Sequence, residues 1–140
     1  MIPPRSPYCL IQEDLWPNKW KMLVSCILLN RTSRKQVEKI LPELFSFYPN
    51  PKTMSSCDKE QLASIISPLG FKNRRALTLI NFSKSFLKTN WKHASELPGI
   101  GEYGSAVWDI FVLNKMPDKA PNDHALVWYW TWRTKNDNQA

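Results

Sequence analysis

The chain has 140 residues, is 43% hydrophobic and carries seven tryptophans, enough apolar material for one globular domain and too much for a disordered chain. Nineteen Lys and Arg against twelve Asp and Glu leave a net charge of +7, which suits a polyanionic partner without requiring one. No apolar run approaches the roughly 20 residues needed to span a bilayer, so no membrane contact is expected. The start, Met1-Ile2-Pro3-Pro4-Arg5-Ser6-Pro7, reads as an extended lead-in and not as a signal peptide. Cys9, Cys26 and Cys57 are odd in number and widely spaced, which predicts reduced, buried thiols in a cytosolic or nuclear protein and neither a disulfide framework nor a metal site.

Almost every strong segment has helical period. Trp20 to Leu29 is nearly all apolar and predicts a central helix buried on most sides. Ser33-x-x-Gln36 resembles a capping box opening a second helix, whose stripe is Val37, Ile40, Leu41, Leu44, Phe45 and Tyr48. Pro42 should kink or split that helix. Pro49, Pro51 and Thr53 read as a linker. Asp58 is the expected N-cap of a helix bearing Leu62, Ile65 and Ile66, which stops at Ser67-Pro68.

Leu69-Gly70-Phe71 reads as a turn. Asn73 to Lys88 follows as a long helix with Leu77, Ile80, Lys84 and Leu87 in register. A short helix ends at Leu97, and Glu102 to Leu113 forms another with Tyr103, Ala106, Val107, Ile110 and Phe111. Lys115 to Pro121 is an expected irregular loop, and Asn122 or Asp123 starts a last helix with Leu126, Trp128 and Trp132. Trp128-Tyr129-Trp130-Thr131-Trp132 also alternates as a strand would, but no partner strand is evident. The expected fold class is all-α, in one domain of seven to nine short helices.

The chain has four glycines, and Gly99, Gly101 and Gly104 fall within six positions. Glycine is needed where φ is positive or another backbone comes close. Leu97-Pro98-Gly99-Ile100-Gly101 thus reads as a tight turn between two helices. It is either an ordinary connector or a set of backbone N–H groups that can hold a phosphate.

Five stretches together carry a resemblance: Leu10-Ile11-Gln12-Glu13, Leu29-Asn30-Arg31-Thr32-Ser33, Pro68-Leu69-Gly70, Gly99-Ile100-Gly101-Glu102-Tyr103-Gly104 and Asp123-His124. In that order and spacing, from about Ser6 to Trp132, they resemble the helix–hairpin–helix DNA glycosylase superfamily, of which endonuclease III is a member. They are most similar to the thymine/uracil mismatch glycosylase domain of methyl-CpG-binding-domain proteins. The resemblance implies two helical lobes with a central cleft in a single domain spanning 1–140. The N- and C-terminal helices would form one lobe and the middle helices, about 32–104, the other, with the hairpin at the cleft mouth. A methyl-CpG-binding module would lie outside these residues, and a stand-alone glycosylase is the equal alternative.

The implied chemistry is excision of a flipped pyrimidine. A nucleotide must leave the stack before its glycosidic bond can be reached. Departure of the base leaves cationic character on the sugar, which a carboxylate stabilises while it orients water. Asp123 is the implied catalytic residue, held ionised near a helix N-terminus; on local sequence alone it is an N-cap. Tyr103 stands where bifunctional members of the superfamily carry a Schiff-base lysine, which implies hydrolysis without β-elimination. Tyr103 and Gln12 are the implied contacts to the flipped base, the alternatives being a core aromatic and a surface amide. Arg31 is implied to enter the duplex and fill the vacated space, and Leu69, beside Gly70, to act as an apolar wedge. Arg31 is otherwise a phosphate contact, and Leu69 a loop residue packed on the core. Lys72, Arg74 and Arg75 would meet phosphates or be simply solvated, and Gly99, Ile100, Gly101 and Gly104 would hold the DNA backbone.

His93 and His124 lack metal-ligand spacing and are expected to be structural, and the tryptophans to be core. No Cys follows Cys57, so the four-cysteine iron–sulfur cluster of endonuclease III is not expected, nor any cofactor or metal. Glu102, an acid in the hairpin, departs from a surface built for phosphate. The expected partner is double-stranded DNA with a G·T or G·U mismatch, bound by a nuclear monomer. The rivals are a glycosylase for another lesion, a non-catalytic DNA-binding module and a helical protein-interaction domain.

Overall fold

Both hydrophobic cores are built on α2 (Lys19–Leu29), a helix apolar on nearly every side. The computed structural model describes residue 6, residues 10–115 and residues 129–135, and no strand occurs among them. Asn18 opens α2 by accepting from the Lys21 N–H at 2.9 Å. One side of α2, with Trp20, Leu23, Val24, Ile27 and Leu28, enters the main core; Met22 and Cys26 enter the second. α1 (Ile11–Leu15) packs beside it.

The middle helices complete the main core. α3 (Arg34–Phe47) opens with the capping box expected from the sequence: Ser33 Oγ accepts from the Gln36 N–H and Gln36 Oε1 from the Ser33 N–H. α3 runs through Pro42 without splitting. Proline in a helix interior costs about 3 kcal/mol. Here the carbonyl it orphans belongs to exposed Glu38, where water can serve it, while Val37, Ile40, Leu41 and Leu44 on the other face are buried. Each of these contributes about 1.5–3 kcal/mol.

The expected linker at Pro49–Thr53 is instead the start of α4 (Pro51–Ser55). Asn50 is its N-cap, accepting from the Thr53 N–H at 2.9 Å, and Pro51 occupies the first turn, where its missing N–H costs nothing. Met54, fully buried, fastens it to the core. Asp58 caps α5 (Lys59–Ile66) as expected, accepting from the Glu60 N–H at 3.0 Å, and a 3₁₀ turn, Ser67–Leu69, ends it.

α6 (Lys72–Phe86) packs on α2, α4 and α5. Its buried face is Arg75, Ala76, Leu79, Ile80, Phe82 and Ser83, whereas Leu77 and Leu87 are about half exposed and Lys84 faces solvent. The expected register of Leu77, Ile80, Lys84 and Leu87 therefore holds only at Ile80. The small residues Ala76 and Ser83 let α6 lie close to its neighbours, and Ser83 Oγ accepts from Trp20 Nε1 at 3.0 Å.

The second core joins the two ends of the chain. After a 3₁₀ turn at Ala94–Glu96, α7 (Glu102–Val107) continues as a π-helical turn, Trp108–Val112, closed by Leu113 N–H donating to the Trp108 carbonyl at 3.0 Å. Val107, Ile110 and Phe111 pack against Leu10, Met22, Cys26 and Tyr129. Tyr129 belongs to α8 (residues 129–135), so this part of the Trp-rich tail is helical and not a strand. Carbonyls freed near the π turn are taken by side chains from both ends: Trp16 Nε1 donates to Phe111, and Arg133 to Ile110. Cys9, Asp123, His124, Leu126 and Trp128 lie outside the described residues, as does most of the expected 115–121 loop.

No described helix is long and apolar enough to cross a membrane. Trp20 is 2% exposed and donates a buried hydrogen bond, so Trp20→Ala is expected to lower the unfolding free energy by about 3–5 kcal/mol in a urea titration. A loss under 1 kcal/mol would mean α2 is not the centre of the core.

Candidate functional site

Two recesses lie on either side of the turn that ends α2. The smaller, about 120 Å³, is lined by Gln12, Leu29, Thr32, Arg34 and Tyr103 among others. It brings together two residues more than ninety positions apart in sequence, Gln12 from α1 and Tyr103 from the first turn of α7. Gln12 is 1% exposed, so it is no surface amide. The Ser25 hydroxyl donates to the Met22 carbonyl at 2.6 Å, so it can only accept from Gln12, whose Nε2 sits 3.3 Å away. That fixes which end of the amide faces the protein and commits one of its two donors. Thr32 and Arg34 were not foreseen here; Arg34 also pairs with Glu38 at 2.7 Å.

The larger recess, about 390 Å³, is lined by Ile27, Asn30, Arg31, Phe71, Arg74 and Gly99 among others. Arg31 and Phe71 both have left-handed backbones, φ 61° and 49°. Arg31 is exposed, as are Lys72 and Arg74, so this side carries the cations that the sequence predicts for a polyanion.

The turn after α5 differs from expectation. Leu69, the expected wedge, is 8% exposed and packs in the main core. The 3₁₀ turn aims it inward, Gly70 (φ 80°) reverses the chain, and the next side chain, Phe71, stands 68% exposed. An aromatic following glycine at a helix N-cap, where a polar residue is usual, was the available signal. Arg75 also departs from the solvated or phosphate-binding reading. It is 9% exposed and donates to the carbonyls of Leu28 (3.4 Å) and Asn30 (2.7 Å), capping the C-terminal end of α2. Burial pushes its guanidinium down from the usual arginine range.

The three clustered glycines have different reasons to be glycine. Gly99 has φ 81°, and a Cβ there would stand 2.6 Å from Thr78 Cγ2 and 3.3 Å from Ile27 Cδ1. Gly104 is buried, and its Cβ would meet Ile100 Cγ2 at 2.9 Å with Cys26 Cβ behind it, so it serves the packing of α7 on α2 and presents no surface to DNA. Ile100 is half-buried against the main core. Gly101 is exposed, has an ordinary φ of −102°, and a Cβ on it would meet nothing within 4 Å.

The hairpin is braced from its first arm. Glu96 accepts from the N–H groups of His93 and Lys92, which hold its carboxyl below the usual range. His93 Nδ1 accepts from the Ser95 N–H, so its Nε2 carries the hydrogen that it donates to Asp109 at 2.8 Å. The expected structural role of His93 is thus a tie between the two arms. Among the described residues no three metal-ligating side chains gather.

The comparisons with known proteins agree with this architecture. Residues 24–137 match the HhH-GPD superfamily base excision DNA repair proteins, and the chain belongs to that family. A methyl-CpG-binding domain protein 4-like protein of Arabidopsis thaliana is 36% identical over 94% of this chain and 29% of its own length. A thymine-DNA glycosylase of Aeropyrum pernix is 33% identical over 65% of this chain and 46% of its own. The chain thus spans less than half the length of these relatives. Among solved structures, a thermostable thymine-DNA glycosylase superposes with a TM-score of 0.65 at 24% identity, covering 81% of this chain and 53% of that one. An endonuclease III trapped as a covalent intermediate with DNA gives 0.62 at 16%, covering 87% and 72%. The fold is that of the helix–hairpin–helix glycosylases.

Gly99→Ala should cost at least about 1–2 kcal/mol from the left-handed backbone alone, with the overlap on Thr78 added, in chemical denaturation. Gly101→Ala should unfold with the wild type and yet bind duplex DNA more weakly in a fluorescence titration. Equal stability losses in the two variants would remove the distinction between a packing glycine and an open one.

Proposed function

We propose that this chain is the catalytic domain of a monofunctional DNA glycosylase that releases thymine or uracil lying opposite guanine and so begins base excision repair, acting as a monomer in the nucleus. The observation that carries the reading is the small recess. A positioned amide and a tyrosine, from opposite ends of the sequence, meet beside the hairpin of a base excision repair fold. An amide that both donates and accepts suits the edge of a pyrimidine, and an aromatic ring suits its face. The thymine- and uracil-directed names of the relatives favour the same bases.

In the proposed reaction the duplex lies across the hairpin and the basic side near Arg31, Lys72 and Arg74. The target nucleotide rotates out of the stack, Arg31 fills the gap, and the exposed Phe71, in the place expected of Leu69, presses between bases on the opposite strand. A G·T wobble pair is already weak, which lowers the cost of extrusion. In the recess, Gln12 and Tyr103 hold the base. Asp123 stabilises the cationic sugar as the bond to the base breaks and directs a water to the anomeric carbon. Tyr103 has no amine, so no imine forms, and an abasic site is the product.

The test is release of the base from a duplex with one G·T or G·U pair, read as strand cleavage after alkali. Wild type should cleave and Asp123→Asn should not, while still binding DNA; cleavage by the variant would remove Asp123 from the role. Borohydride should trap no protein–DNA adduct. Phe71→Ala is expected to slow release about ten-fold, a barrier change near 1.4 kcal/mol, with stability unchanged. Leu69→Ala should instead destabilise the fold by about 2–5 kcal/mol.

A further inference from the structure

Two non-glycine residues, Arg31 and Phe71, stand in left-handed backbone on opposite sides of one recess. That conformation costs an L-residue roughly 1–2 kcal/mol, so each needs something to hold it. One residue holds both. The Arg75 side chain donates through Nη2 to the Asn30 carbonyl at 2.7 Å, which belongs to the peptide plane leading into Arg31. Its backbone N–H donates to the Phe71 carbonyl at 2.9 Å, in the peptide plane leaving Phe71. Its Nη1 reaches the Leu28 carbonyl at 3.4 Å. The two peptide planes that aim Arg31 and Phe71 are therefore fastened to one buried side chain and its own amide.

We propose that Arg75 is a positioning residue that sets the span between Arg31 and Phe71 and so governs extrusion of the nucleotide, a role that rests on the glycosylase reading above. Arg75 touches no substrate. Extrusion requires one side chain to enter the gap while another presses on the opposite strand, and both must arrive in register with the stack. A guanidinium suits the task because its rigid fork reaches two carbonyls at once, whereas a lysine ammonium is a single point of attachment on a flexible stem. Without the fork the Asn30–Arg31 plane is free to turn over, Arg31 samples other directions, and fewer encounters end with the base in the recess. The glycosidic bond, once the base is there, breaks as before.

Two duplexes separate these steps: one with uracil paired to guanine, and one with uracil opposite an abasic position, where no pair resists extrusion. Single-turnover release is measured on both, with 2-aminopurine beside the target to report extrusion. For Arg75→Met, which keeps the apolar stem, the ratio of paired to unpaired rates should fall by between about ten- and a hundred-fold, with loss of the paired-duplex fluorescence rise. Arg75→Lys should fall between Met and wild type. In an Arg31→Ala background, Arg75→Met should change the ratio much less, since it acts through Arg31.

Equal slowing on both duplexes, or full additivity with Arg31→Ala, would overturn the proposal and leave Arg75 a structural residue. If Arg75→Met does not fold, the Lys variant alone decides by the same ratio. Wild type inactive on both duplexes would defeat the glycosylase reading, and this proposal with it; wild type active with an unchanged ratio in the variants defeats this proposal alone.

Discussion

Everything in this domain depends on α2 having no polar side to give to water. A helix that is apolar all round must be covered all round, and the chain does this by placing the middle helices on one side and its two ends on the other. The cost arises where α2 stops. Its last carbonyls come out between two cores, where water is scarce, and an uncapped helix end in such a place is expensive. The Arg75 guanidinium meets that need at Leu28 and Asn30. The demand that folds the protein thus puts a rigid, well-bonded turn between the two recesses.

The functional surface is made from turns of unequal tolerance. Gly99 is closed in by Thr78 and Ile27, and Gly104 by Ile100, whereas Gly101 has open space in front of it. Where the fold gives no reason for glycine, the close approach of something outside the protein is a reason. Leu69 and Phe71 divide their turn in the same way, one side chain given to the core and one to the surface. A two-residue shift decides which is which, because Gly70 lies between them.

Helix existence was legible from period and capping residues. Ser33 with Gln36, and Asp58, name their helix starts directly, and the apolar length of Trp20–Leu29 could only be a buried helix. What was missed involved choices settled by packing. The α6 face follows small residues, Ala76 and Ser83, because neighbouring helices must come close, and size-based periodicity selects the larger Leu77 and Leu87 instead. Asn50-Pro51 was read as punctuation when it was a cap followed by a first-turn proline. At the site, residue identity was visible for Gln12, Tyr103 and Arg31, but direction was not. Whether Leu69, Phe71 or Arg75 faces in or out depends on backbone angles at Gly70 and on carbonyls 45 or more positions away, neither of which local sequence encodes.

The π turn at Trp108–Val112 sets the phase of whatever follows it. A π turn holds one residue more than the α-helical register would, and each α-helical residue advances the side chains by about 100°. Removing one residue from this stretch would restore a regular helix and leave every downstream side chain aimed about a quarter-turn away from its present direction, Ile110 and Phe111 no longer meeting Tyr129. Length at this point is therefore held as tightly as identity. A single-codon deletion here would be felt more severely than most substitutions, because it rotates the whole route by which the chain runs on towards Asp123.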